Sequence, residues 1–253
     1  MRVEVTRLAN GLTVASDPMA EAESVSLGVW IGVGTRHEAA EENGVAHLLE
    51  HMLFKGTPSR SAQAIAEEIE AVGGHLNAYT GRETTAYHAK VLAGDLPLAL
   101  EIIADILQNS LFDAQELERE RQVVLQEIGQ AEDTPDDIIF DRFQEAAFPG
   151  QGLGRPVLGR PEIVARLGRE QLVGFHARNY GAERMVLAAA GAVAHEELVA
   201  LAERHFSRLP PKSAARSEPP RYQGGAYREG RELEQLHLVL GFEGLSYRDS
   251  DYH

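Results

Sequence analysis

His47 and His51 stand four residues apart in Gly44-Val45-Ala46-His47-Leu48-Leu49-Glu50-His51-Met52-Leu53-Phe54, and Glu50 lies three after the first and one before the second. On a helix that spacing puts both imidazoles on one side, one turn apart. Two neutral imidazoles so placed can fill two positions of a tetrahedral zinc site. Glu50 can then overlook the ion without being forced into its coordination shell, as a general base beside a metal that activates water would. The bland alternative is a pair of packing histidines or a surface coincidence. Against it, Val45, Leu48, Leu49, Met52, Leu53 and Phe54 flank the group and predict a buried segment. Two histidines and a glutamate buried together without a partner are costly, and a cation removes that cost.

A hydrolytic site of this kind needs a third ligand, and a carboxylate leaves one position open for water. The best supply is Gln115-Glu116-Leu117-Glu118-Arg119-Glu120-Arg121-Gln122-Val123-Val124-Leu125-Gln126-Glu127-Ile128. Most of its acids read as a solvated helix start. Glu127 instead sits between Val123, Val124 and Ile128 and should point partly inward. Glu120 lies seven residues earlier, on nearly the same face and about 10 Å along the axis. The pattern favours Glu127 as ligand, with Glu120 above it in a supporting or substrate-facing role.

The elements that must hold these groups follow from periodicity. An Asn10-Gly11 turn between short apolar stretches predicts a hairpin, and Val25 to Gly34 alternates with one apolar face. The histidine segment predicts a buried helix, and Ser61 to Val72 an amphipathic one closed by Gly73-Gly74. His75 to Tyr79 and Thr84 to Leu92 read as strands around Gly81. Helices are expected over Leu96 to Leu107, Ala114 to Ala131, Pro161 to Asn179 and His195 to Leu209, with a buried strand at Met185 to Gly191. Strands and helices come in runs, which predicts an α+β layered domain: a mainly antiparallel sheet with helices packed on one face.

Composition bounds the chemistry. The 253 residues contain no cysteine, which excludes sulfur-ligated metal sites, thiol catalysis and iron–sulfur clusters. With 24 Lys+Arg against 39 Asp+Glu the formal net charge is −15, which argues against nucleic acid or an anionic membrane as a partner. No apolar run reaches the roughly 18 residues of a membrane span. Met1 to Arg7 carries charges where a signal peptide needs an apolar core, so a cytoplasmic location is expected.

Residues 210–221 hold four prolines and read as a linker. They divide the chain into an expected catalytic domain, 1–209, and the truncated start of a second homologous domain, 222–253. In the latter, Gln235 to Phe242 predicts a new strand, and Glu234 to Asp249 can be laid against Glu23 to Glu38 as the beginning of a second repeat.

The stretch from Gly44 through Lys55-Gly56-Thr57, with its inverted His47-Leu48-Leu49-Glu50-His51 motif, resembles the M16 metallopeptidases, the family of pitrilysin, insulysin and the mitochondrial processing peptidase. The similarity extends from about Arg7 to Tyr247. It takes in Gly73-Gly74-His75-Leu76-Asn77-Ala78-Tyr79-Thr80, Glu83-Thr84-Thr85-Ala86-Tyr87, Glu118 to Ile128, Leu158-Gly159, Tyr180 and Met185 to Ala188. It implies the fold of an M16/LuxS-like metallohydrolase half and one Zn²⁺ held by His47, His51 and Glu127. Glu50 is then the catalytic base and Glu120 a supporting acid. It also implies that Asn77 and Ala78 bind substrate along a sheet edge; by itself Asn77 reads as a turn or strand-end residue. The implied activity is a zinc endopeptidase acting on extended or unfolded peptides, the alternative being a non-catalytic structural or partner subunit of the same fold. Family members pair two homologous halves in one polypeptide or as two subunits. A second M16-type half is therefore the expected partner, and weak or no activity is expected of this chain alone.

Overall fold

The computed structural model describes residues 3–214 and 218–252. Met1 and Arg2, at the N-terminus read for a signal, and residues 215–217 of the linker stretch lie outside them. Six strands form one sheet in the order β1-β2-β6-β3-β5-β4. They are β1 (Glu4–Arg7), β2 (Thr13–Pro18), β3 (Ser24–Ile31), β4 (His75–Thr80), β5 (Thr85–Leu92) and β6 (Met185–Gly191). Every pairing is antiparallel except β2 with β6. In β3 the alternation buries Val25, Leu27, Val29 and Ile31 completely. The register sets Val29 beside Tyr87 and Leu187, so three strands build one apolar face.

Among the described residues, eight α-helices accompany the sheet: α1 (Val45–Leu53), α2 (Ala62–Ala71), α3 (Leu96–Asn109), α4 (Ala114–Asp133), α5 (Pro135–Ala147), α6 (Pro161–Val164), α7 (Arg169–Asn179) and α8 (His195–Phe206). The core joins that sheet face to the apolar stripes of α1, α3 and α8. Strand β6 inserts between β2 and β3, so residues beyond 180 complete the same sheet that the first 90 begin.

Three differences from the sequence reading have local causes. Residues 161–179 form two helices instead of one, because the chain turns extended at Gly168, which caps α7. Helix α5 was not expected. Thr134 breaks off α4, Pro135 takes the first helical position, and Asp136 and Asp137 fill the first turn, a sound helix start. Yet only Ala147 of α5 is buried, so no strong apolar stripe marks it. Residues 235–242 form no strand. They keep the period of two, with Leu236, Leu238, Leu240 and Phe242 exposed while His237 and Val239 are half-buried, but no neighbouring strand takes up their backbone groups.

What matters most for the site is how α1 enters the core. Its N-cap, Gly44, has φ 99°, and Gly159, at φ 88°, crosses it so closely that a Cβ there would lie 2.5 Å from the Gly44 Cα. Only glycine satisfies both the left-handed conformation and the contact. Gly44 has no side chain to cap the helix, and buried Glu38 does so instead. It accepts hydrogen bonds from Gly44 N (3.0 Å), Ala46 N (2.9 Å) and Asn43 Nδ2 (2.9 Å), placing a carboxylate at the helix N-terminus. Gly159→Ala is expected to lower stability by about 2–4 kcal/mol in urea denaturation. Gly129→Ala on α4, where an added Cβ meets nothing within 4 Å, should be neutral or stabilising.

Candidate metal centre

Helix α1 is only nine residues long, and it buries Val45, Ala46, Leu48, Leu49, Met52 and Leu53. The positions left on its remaining stripe are His47, Glu50 and His51. The two histidines face α4, where Leu117, Glu120, Val124 and Ile128 form the buried side of a long helix. The spacing therefore does what it predicts. The two imidazole centroids are 4.7 Å apart, set edge to face at 69°.

Glu127 reaches this pair from α4. Its Oε2 lies 3.8 Å from His47 Nε2 and 3.7 Å from His51 Nε2, too long for hydrogen bonds. Two donors bound to one zinc at tetrahedral angles lie about 3.4 Å apart. The observed gaps are within a few tenths of an ångström of that separation. Glu127 Oε2 is buried without a hydrogen-bond partner among the described residues. An orphaned carboxylate oxygen beside two ring nitrogens is a cation-shaped cost, and these three residues form a group whose ligand atoms lie within 4.8 Å of one another. Their hard oxygen and borderline nitrogen donors suit zinc.

Electrostatics prepare the group for a cation. Burial, reinforced by the His51 charge, pushes the His47 imidazole down to about 4, so at neutral pH it presents a lone pair. His51 is oriented by Glu120, whose Oε2 is 3.0 Å from Nδ1 and whose other oxygen meets Lys55 Nζ at 2.8 Å. Such a carboxylate fixes the tautomer and raises ligand basicity. His47 has no equivalent, and its Nδ1 is buried without a partner among the described residues.

Glu50 sits between this group and the sheet. Burial raises its carboxyl, while a hydrogen bond from Thr80 and the His51 charge pull it down and Glu127 pushes it up again. Strand β4 runs past it as a sheet edge, paired only with β5. Leu76, Ala78 and Thr80 turn partly inward and His75, Asn77 and Tyr79 outward. Asn77 and Ala78 lie next to each other on this edge, and Asn77 Oδ1 accepts from Ala78 N at 2.8 Å. All seven residues singled out from sequence thus lie on α1, α4 or β4. Reading the sequence missed Thr80, Lys55 and Glu38. Each acts across a gap set by tertiary packing, and only its presence inside a longer matching stretch hinted at Thr80 and Lys55.

Residues 13–161 match the family model for Insulinase (Peptidase family M16), and residues 166–253 match the model for the Peptidase M16 inactive domain. The chain is 45% identical over 243 residues to a protein of Rickettsia bellii described as an uncharacterized zinc protease, covering 96% of this chain and 59% of that one. It is 42% identical over 257 residues to the mitochondrial-processing peptidase subunit beta of Lentinula edodes, covering 98% and 55% respectively. A protease from Helicobacter pylori of known structure matches with a TM-score of 0.81 and 25% identity, over 88% of this chain and 54% of that chain. The chain therefore spans about half the length of the curated relatives it matches. Among the described residues, no helix is long and apolar enough to cross a membrane.

The depressed His47 pKa predicts a pH dependence in the metal-free chain. Between about pH 4 and 6.5 the unfolded state binds more protons than the folded one, so stability is fully present above pH 6.5 and is lost as pH falls toward 4, by roughly 3 kcal/mol at most. Glu38, which burial pushes up to about 7, slopes the opposite way, favouring the folded state less as pH rises from 4.5 to 7. The difference in urea stability between the parent and His47→Gln isolates the histidine term and should shrink by that amount on acidification.

Proposed function

Because this chain belongs to peptidase family M16, we propose that it carries the catalytic half of a zinc-dependent endopeptidase acting on extended or unfolded peptides. The observation that carries the reading is the convergence of His47 Nε2, His51 Nε2 and the orphaned Glu127 Oε2, with Glu50 beside them and a free sheet edge alongside. His47, His51 and Glu127 hold one Zn²⁺, and Glu120 orients His51 from behind. When bound, zinc supplies a Lewis acid that polarises a carbonyl and makes water a stronger acid.

The protein's own groups do the rest. Glu50 takes a proton from the attacking water and returns it to the leaving peptide nitrogen. Burial raises its carboxyl above the usual carboxylate range, which makes the ionised group a stronger base toward that proton. Substrate pairs with β4 as an added strand, so main-chain bonds hold it whatever its sequence. A peptide carbonyl then replaces Asn77 Oδ1 on the Ala78 N–H, which frees the Asn77 amide to bond the peptide. A second M16-type half, in the same polypeptide or as a partner subunit, encloses the substrate.

A non-catalytic partner subunit of the same fold has no need of a complete donor set with a base beside it, which favours the enzymatic reading. The test is cleavage of an unstructured fluorogenic peptide by the zinc-loaded chain supplied with its second half, alongside metal analysis. Glu50→Gln should keep about one zinc per chain and lose hydrolysis by about 10²-fold or more. A chelator should abolish the parent activity and added zinc restore it. Chelator-insensitive cleavage, or full activity in Glu50→Gln, would overturn the reading.

A further inference from the structure

Zinc would fix three of the four polar side chains at this centre by binding them. Glu50 is not among the three, so something else must aim it. Among the described residues the only side chain that hydrogen-bonds it is Thr80, whose Oγ1 donates to Glu50 Oε2, 30 residues away in sequence. Glu50 Oε1 has no hydrogen-bond partner there.

Thr80 is well placed to aim a carboxylate. It is the last residue of β4, held opposite Thr85 by the sheet register. The turn that follows is pinned by Gly81 N to Thr84 O at 2.7 Å and by Thr35 N to Gly81 O at 3.1 Å. A β-branched side chain on such a backbone has few rotamers, so the hydroxyl is a fixed point. It also belongs to the strand on which the peptide is proposed to lie. One short strand thus spaces the proton acceptor relative to a paired substrate.

We propose that Thr80 is a positioning residue for the hydrolytic reaction: its hydroxyl occupies Glu50 Oε2 and leaves Oε1 as the oxygen presented to the attacking water. The proposal rests on the reading of Glu50 as general base. It is specific to the hydroxyl and not to the bulk of the side chain. Removing the donor leaves Glu50 free to rotate, so fewer encounters are productive while substrate still pairs with β4 through its main chain.

The test compares Thr80→Val, which keeps the shape and removes the donor, with Thr80→Ser, which keeps the donor. In the zinc-loaded chain supplied with its second half, Thr80→Val should lose about tenfold or more in kcat with KM within about threefold. Thr80→Ser should stay within about threefold of the parent, and zinc content should be unchanged in both. Independently of turnover, crystal structures of the zinc-loaded proteins should show Glu50 on the residue-80 hydroxyl in the parent and Thr80→Ser, and turned off it in Thr80→Val. Full kcat in Thr80→Val, a loss confined to KM, or a parent crystal with Glu50 pointing away from Thr80 would each overturn the proposal. If Thr80→Val does not fold, the parent crystal and the Thr80→Ser kinetics still decide. If Glu50→Gln is itself active, the general-base reading has failed; if Glu50→Gln is inactive and Thr80→Val fully active, only the role of Thr80 falls.

Discussion

Two imidazole rings and a carboxylate oxygen held together between α1 and α4 carry a cost that a cation between them would remove. That constraint organises the molecule. His47 is kept neutral by burial, Glu127 Oε2 finds no donor among the described residues, and the separations exceed hydrogen-bonding range. The fold holds a locally unfavourable arrangement together, and the surrounding core must outweigh it. The completely buried Leu48, Leu49, Met52 and Leu53 of α1 do so from the same nine residues that carry the polar stripe.

The position of that helix is set at both ends as well as by its buried face. Gly44 and Gly159 touch backbone to backbone, Glu38 caps the first turn from a buried position, and Arg155 Nη1 donates to the Glu38 carbonyl oxygen. The loop before α6 is therefore part of the foundation of the His47–His51–Glu127 group although it supplies none of its three residues. On the far side, Lys55 and Glu120 tie the end of α1 to α4. Both ends of a short helix are thus anchored to different parts of the chain, and the polar stripe between them is aimed at Glu127.

Much of this was legible in the sequence because it is local. The His47–His51 interval, the inward tilt of Glu127 and the alternation of Val25 to Ile31 each follow from the geometry of one helix or strand. What escaped is long-range or weakly patterned. Nothing in the sequence pairs Thr80 with Glu50, Glu38 with the start of α1, or Gly159 with Gly44 without the fold that joins them. Helix α5 lacks a buried stripe, so its Pro135 and acidic first turn were the only signs of it. The apolar alternation at 236–242 is strand-like, but strand formation needs a neighbour, and periodicity cannot supply one.

The central claim is that α1 and α4 meet to form one three-residue zinc site. Anomalous diffraction at the zinc edge from crystals of the zinc-loaded chain tests it most directly. A single strong peak is expected about 2.0–2.2 Å from His47 Nε2, His51 Nε2 and a carboxylate oxygen of Glu127, with Glu50 nearby but outside bonding distance. A peak elsewhere, ligation by Glu50 or Glu120 in place of Glu127, or no peak at this position in zinc-loaded crystals would contradict it.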